Sequence, residues 1–257
     1  MIFIMGTIFG SFFTLAVYRI PLGLDITHER SFCPNCKHKL NFIDLIPVVS
    51  YLTLHGKCRY CGNKIRIRYF ILEILSGLVF LIAYLSYNMN FPFIELEEII
   101  YFANFVFFYV TIVLISGIDK ENIRIEKSVL LFGIIMQSIY MIYLYISGLD
   151  MYRYVMCLII MAILFIIDTV SLKTKAKTYY FIQILMYIDY ILMYISFNIT
   201  YIVVALSIIC VLIYSLYKKI KNKSKTLFKE NRIGIGFCIG IASVLAVIAN
   251  NFVIFYI

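Results

Sequence analysis

Residues 99–118 read IIYFANFVFFYVTIVLISGI, twenty positions without one charged side chain. At about 1.5 Å per residue such a run makes a helix of ~30 Å, the thickness of a bilayer's hydrocarbon core. Outward from it, seven further segments share its character: 2–18, 69–87, 128–147, 151–167, 179–197, 199–217 and 233–257. All are continuous apolar runs, without the alternation that a membrane β-strand requires. The expected fold is an all-α polytopic membrane protein with about eight transmembrane helices. Composition agrees: 63% of the 257 residues are hydrophobic and only 14% are charged, too little polar surface to cover a water-soluble enzyme. The first segment lacks a basic start, and Arg19 follows it where a signal peptide would end in small residues. It is therefore expected to remain as a helix.

The net charge of +9 raises the question of nucleic acid, and the placement of the charges answers it. Residues 19–68 hold nine Lys and Arg, 119–127 three, 168–178 three and 218–232 seven. The intervening connections carry only Arg153. Basic residues collect on cytosolic loops, so this alternation supports the eight-helix count and puts both termini outside. The basic excess is read as topology plus attraction to anionic lipid, with no nucleic acid partner. The organisation expected is a first transmembrane helix (1–18), a cytosolic insert (19–68) and a seven-helix membrane domain (69–257).

Within the insert stand two pairs, Cys33-Pro34-Asn35-Cys36 and Cys58-Arg59-Tyr60-Cys61, separated by 21 residues. Two CxxC knuckles at this spacing fold toward one tetrahedral metal, and Zn²⁺ in a structural role prefers four thiolates. A cytosolic location disfavours disulfides; a redox pair is the competing use, and His28, His38 or His55 could replace a thiolate. Cys157, Cys210 and Cys238 lie singly in apolar helices, where a thiol is a small hydrophobe. The apolar stretch from Phe42 to Leu54 is too short to span and is broken by Pro47. It is expected to lie against the membrane surface or to pack over the metal site.

The insert and its flanks resemble the type IV prepilin peptidases, membrane enzymes that remove pilin leaders and methylate the new N-terminus. The resemblance rests on Gly6-Thr-Ile-Phe-Gly10-Ser11-Phe12, on Arg19-Ile-Pro21, and on Arg30-Ser31-Phe-Cys33-Pro34-Asn-Cys36. It continues through Asp44-Leu-Ile-Pro47, Ser50-Tyr51-Leu52, Gly56-Lys57-Cys58-Arg59-Tyr60-Cys61, Ile65, Arg68-Tyr69, Glu73 and Gly77. Read without it, Gly6 and Gly10 indicate only close helix packing, and Arg19 and Arg68 mark helix ends. The resemblance implies pilin-like or pseudopilin precursors as partners, S-adenosylmethionine as methyl donor, a bacterial plasma-membrane location and an intramembrane aspartic peptidase.

Such chemistry needs two carboxylates close enough to share a proton. Asp119, in Ser116-Gly-Ile-Asp119-Lys-Glu-Asn-Ile-Arg-Ile125-Glu126-Lys127, corresponds to the first family aspartate, with Glu126 and Lys127 standing where the family has a proline and a polar residue. The family's second aspartate sits in GxGD, and no glycine occurs here between Gly148 and Gly234. By position that motif falls on Lys175-Ala-Lys177-Thr178-Tyr-Tyr-Phe181. Of the family's later proline-rich motif, Gly236 is the residue that remains. Asp168, at the end of the fifth helix, and Asp189, inside the sixth, are the candidates for the second acid. The function implied is leader processing at the cytosolic membrane face. The alternatives are a family member that has lost peptidase activity and only methylates or binds pilin-like proteins, and, remotely, a transporter.

Overall fold

The computed structural model describes residues 1–86, 95–171, 176–195, 197–222 and 234–256. The basic stretches 172–175 and 223–233 lie outside the described residues. Among the described residues, eight long helices occupy the eight apolar segments: α1 (Ile2–Arg19), α3 (Ile67–Ser86), α4 (Leu96–Asn122), α5 (Lys127–Ile146), α6 (Tyr152–Ser171), α7 (Ala176–Tyr194), α8 (Phe197–Asn222) and α9 (Ile235–Tyr256). A short helix α2 (Val49–Thr53) and two 3-10 turns fall in the insert. Among the described residues, β structure is limited to two isolated bridges. α1, α3, α4, α5 and α6 are long and apolar enough to cross a membrane, and shorter apolar stretches lie in α7, α8 and α9. The fold is that of an all-α polytopic membrane protein. The many exposed Ile, Leu and Val side chains on these helices, such as Ile139, Ile163 and Ile208, are what a lipid-facing surface requires.

The chain divides into two compact units, Met1–Phe102 and Ala103–Ile257. In the first, α1 packs along α3 at a distance only glycine permits. A Cβ at Gly6 would lie 2.6 Å from the Ser76 carbonyl oxygen, and one at Gly10 would lie 2.8 Å from Glu73 Cα. Close approach of small residues is how helices associate where lipid removes the hydrophobic drive. The glycine spacing thus sets the α1–α3 seam, and the seam places Glu73 and the start of α3 beside the insert.

In the second unit α7 is the central element. Met186, Tyr187, Tyr190 and Met193 are fully buried, and Tyr194 stacks on Phe108 of α4 with ring centroids 4.0 Å apart. α4 ends at Asn122 because Ile123 takes a left-handed φ of 54°, and its N–H closes on the Asp119 carbonyl at 2.9 Å. That stop leaves Asp119 in the last helical turn, facing inward and fully buried.

Candidate functional site

The two CxxC segments fold as near copies of each other. The Cys33 N–H bonds to the His38 carbonyl and the Lys37 N–H returns to the Cys33 carbonyl; the Cys58 N–H bonds to Asn63 and the Gly62 N–H returns to Cys58, all at 2.8–3.0 Å. Each knuckle is closed by a bridge, Phe32 to Lys39 and Lys57 to Lys64. Each turns on a left-handed residue four places after its first cysteine, Lys37 (φ 60°) and Gly62 (φ 67°). Other N–H groups of the turns point at the sulfurs, those of Asn35 and Cys36 at Cys33, that of His38 at Cys36 and that of Asn63 at Cys61, and Asn35 Nδ2 reaches across to Cys61 Sγ at 3.8 Å.

The four Sγ atoms of Cys33, Cys36, Cys58 and Cys61 lie within 4.8 Å of one another, with Cys33 and Cys61 4.0 Å apart. Tetrahedral Zn–S bonds of about 2.3 Å set sulfurs about 3.8 Å apart, so the cluster could hold a metal with little movement. Cys33 and Cys58 are buried and Cys36 and Cys61 exposed. All four are free thiols. His28 instead bonds Asp25, and His38 stacks on Tyr60 at 3.7 Å. Asp44 fastens the segment between the knuckles, receiving Arg59 Nε at 2.7 Å and the Tyr60 hydroxyl at 3.0 Å. Burial opposes its charge, but these bonds and the Asn41 N–H outweigh it and hold the carboxyl below its ordinary range.

The other motif positions attach this insert to the helices. Arg19 is buried and donates to the carbonyls of Asp25, Glu29 and Arg30 at 2.7, 3.0 and 3.3 Å. Glu73 accepts the Val48 N–H at 2.7 Å, holding Val48 at a φ of 64° that a β-branched residue rarely adopts. Arg68 lies exposed over the Tyr69 ring.

Asp119 forms a separate site in the second unit. Tyr180 Oη donates to its Oδ1 at 2.7 Å, and the Phe237 N–H donates to its Oδ2 at 3.1 Å. The Ile235 N–H in turn donates to Tyr180 Oη at 3.2 Å. Asp119 thus sits at the N-terminus of α9, where unpaired N–H groups and the helix dipole favour an anion. Gly234 and Gly236 make room, since a Cβ at either would meet Asp119 Oδ2 at 2.7 or 3.1 Å.

Neither second-acid candidate is among these partners. Asp168 is fully buried and paired with Lys127. Asp189 lies nine residues, about 13 Å, along α7 beyond Tyr180, where it packs against Cys157 of α6. Tyr180 carried no signal in a chain of 22 tyrosines; its position in the stretch aligned with GxGD was the one available clue.

Comparison with known proteins gives the same direction. Residues 4–87 match the family model of the bacterial peptidase A24 N-terminal domain. The chain is 40% identical over 95 residues to the prepilin leader peptidase/N-methyltransferase of Vibrio cholerae, covering 34% of this chain and 36% of that one. It is 42% identical over 79 residues to the enzyme of that name from Myxococcus xanthus (31% and 24% of the two chains). With that of Bacillus subtilis it shares 32% identity over 131 residues (51% and 49%). The chain therefore spans about a quarter to a half of the length of these relatives. No solved structure matches it significantly. Over residues 4–87 the chain is thus similar to the bacterial peptidase A24 N-terminal domain and, through that stretch, to the prepilin leader peptidase/N-methyltransferases.

Proposed function

We propose that this chain processes type IV pilin-like or pseudopilin precursors at the cytosolic face of the bacterial plasma membrane, cutting the leader and methylating the freed N-terminus. The observation that carries the reading is the four-thiol cluster set on the Gly6/Gly10–Glu73 seam, inside the stretch shared with the prepilin peptidases. In this reading Cys33, Cys36, Cys58 and Cys61 hold a structural Zn²⁺, the insert is cytosolic and both termini lie outside. S-adenosylmethionine is the methyl donor.

Asp119 is the carboxylate this reading sets against the scissile peptide. Its burial at a helix end keeps bulk water away, and Tyr180 and the Phe237 N–H fix both its oxygens. Peptide hydrolysis by carboxylates needs a second acid on a shared proton, one group activating water while the other protonates the leaving amine. Asp168 and Asp189 are the candidates, and each would have to leave its present partner, Lys127 or Cys157, to serve.

The test is intact-mass analysis of a leader-bearing pilin precursor incubated with the purified chain, with and without S-adenosylmethionine. Loss of the leader mass, followed by gain of one methyl group when the donor is present, is expected. A precursor of unchanged mass in both arms would contradict the proposal.

A further inference from the structure

Glu73 lies six residues, about 9 Å, into α3 from Ile67. Its carboxylate holds the Val48 N–H at 2.7 Å, and one turn earlier Phe70 stacks on Tyr51 with centroids 4.8 Å apart. The segment around α2 is therefore fastened alongside the first two turns of α3. Those turns belong to the span itself: the described part of α3 has 20 residues, about 30 Å, and is long and apolar enough to cross a membrane from Ile67 onward. A segment tied at that level lies in the bilayer interface, not in the water beyond it.

The side chains of this segment fit that medium. Phe42 is 83% exposed, Ile43 67%, Val49 52% and Leu52 58%. The one acid among residues 42–52, Asp44, is turned inward onto Arg59 and Tyr60, so its charge is withdrawn from the apolar face. The Arg30 guanidinium lies over the Phe42 ring, 5.8 Å from its centroid, and residues 19–68 carry nine Lys and Arg against three Asp and Glu. An apolar face with a basic surround is the pattern of an element that lies in the plane of an anionic membrane.

We propose that residues 42–52 form an interfacial foot whose Phe42, Ile43, Val49 and Leu52 side chains enter the acyl-chain boundary of the bilayer, so that the metal-binding insert is seated on the membrane beside α1 and α3. The foot holds the insert at a fixed height above the interface. It is independent of any catalytic reading.

The chain contains no tryptophan, so Phe42→Trp and Leu52→Trp each introduce a single reporter at an already exposed position. The full chain carrying either substitution is reconstituted into phosphatidylglycerol/phosphatidylethanolamine vesicles, with or without bromine on the acyl carbons nearest the headgroup. Ile208→Trp, on the exposed face of α8, supplies the membrane-embedded reference, and far-UV circular dichroism establishes that each variant is folded. The expected result is blue-shifted emission at both insert positions, most of it lost in the brominated vesicles and little of it lost to aqueous acrylamide. Water-like emission quenched by acrylamide would overturn the proposal. Blue-shifted emission insensitive to bromine would overturn it too, because a protein surface and not lipid would then cover the foot.

Discussion

Tyr180 and Asp119, 61 residues apart, are joined by a 2.7 Å hydrogen bond from the phenol to Oδ1. The same phenol accepts the Ile235 N–H, so one side chain ties the end of α4 and the start of α7 to the first turn of α9. Tyr180→Phe removes both bonds at once while keeping the ring. A loss of about 1–3 kcal/mol is expected from the stranded donor and the buried carboxylate. It is read as a lowered thermal midpoint in detergent, and an unchanged midpoint would show that the three-helix junction is held by other contacts.

The α1–α3 seam makes a second prediction. Gly10→Ala puts a methyl group 2.8 Å from Glu73 Cα and 2.9 Å from the Leu72 carbonyl oxygen. Both are backbone atoms that cannot rotate away, so the helices must separate. About 1–3 kcal/mol of destabilisation is expected, measured by thermal unfolding, together with faster proteolysis of the insert. Tolerance of the methyl group would mean that the seam is looser than the glycine geometry requires.

Lys37 and Gly62 occupy equivalent left-handed positions in the two knuckles, yet only one of them is glycine. Relieving the mismatch by Lys37→Gly is expected to stabilise the insert by about 1 kcal/mol. Gly62→Ala, with a φ of 67°, should destabilise it by a similar amount. Chelator-induced unfolding of the two variants against the wild type checks the sign of each.

Metal affinity should follow pH. In the metal-free insert the Asn63 N–H draws the Cys61 thiol down to about 7. Cys36 receives the His38 N–H but is pushed up to about 11 by desolvation and by the neighbouring sulfurs. Binding must therefore expel the Cys36 proton throughout the neutral range, and the Cys61 proton as well once the pH falls below about 7. Protons and metal compete for the same sulfurs, so affinity rises with pH. Zinc competition titrations at pH 6 and pH 8 should differ by at least about tenfold, with tighter binding at the higher pH. Equal affinities would mean that fewer thiolates hold the metal.

The fold was largely legible because hydrophobic length is a local property: a run such as 128–147 determines its own helix, observed as Lys127–Ile146. The thiol cluster was legible for a related reason, since each CxxC turn is closed by its own backbone hydrogen bonds. The surroundings of Asp119 were not. Its partners come from residues 61 and 118 positions away, and their meeting depends on how α4, α7 and α9 pack end against end. Lys127 shows the same limit. By the resemblance it stands in place of a polar residue, and only the packing reveals that it holds Asp168, 41 residues on. Glu73 lies between these cases: its motif position marked it, but its partner, the strained Val48 N–H, required the fold.

Leader cleavage by wild type and Asp119→Asn, compared side by side, tests the central claim most directly. The amide keeps an oxygen to accept the Phe237 N–H and removes the ionisable group, so the fold should survive. Cleavage of a pilin precursor by the wild type and its loss in the variant is the result predicted. Equal cleavage by both, or none by either, would contradict the account.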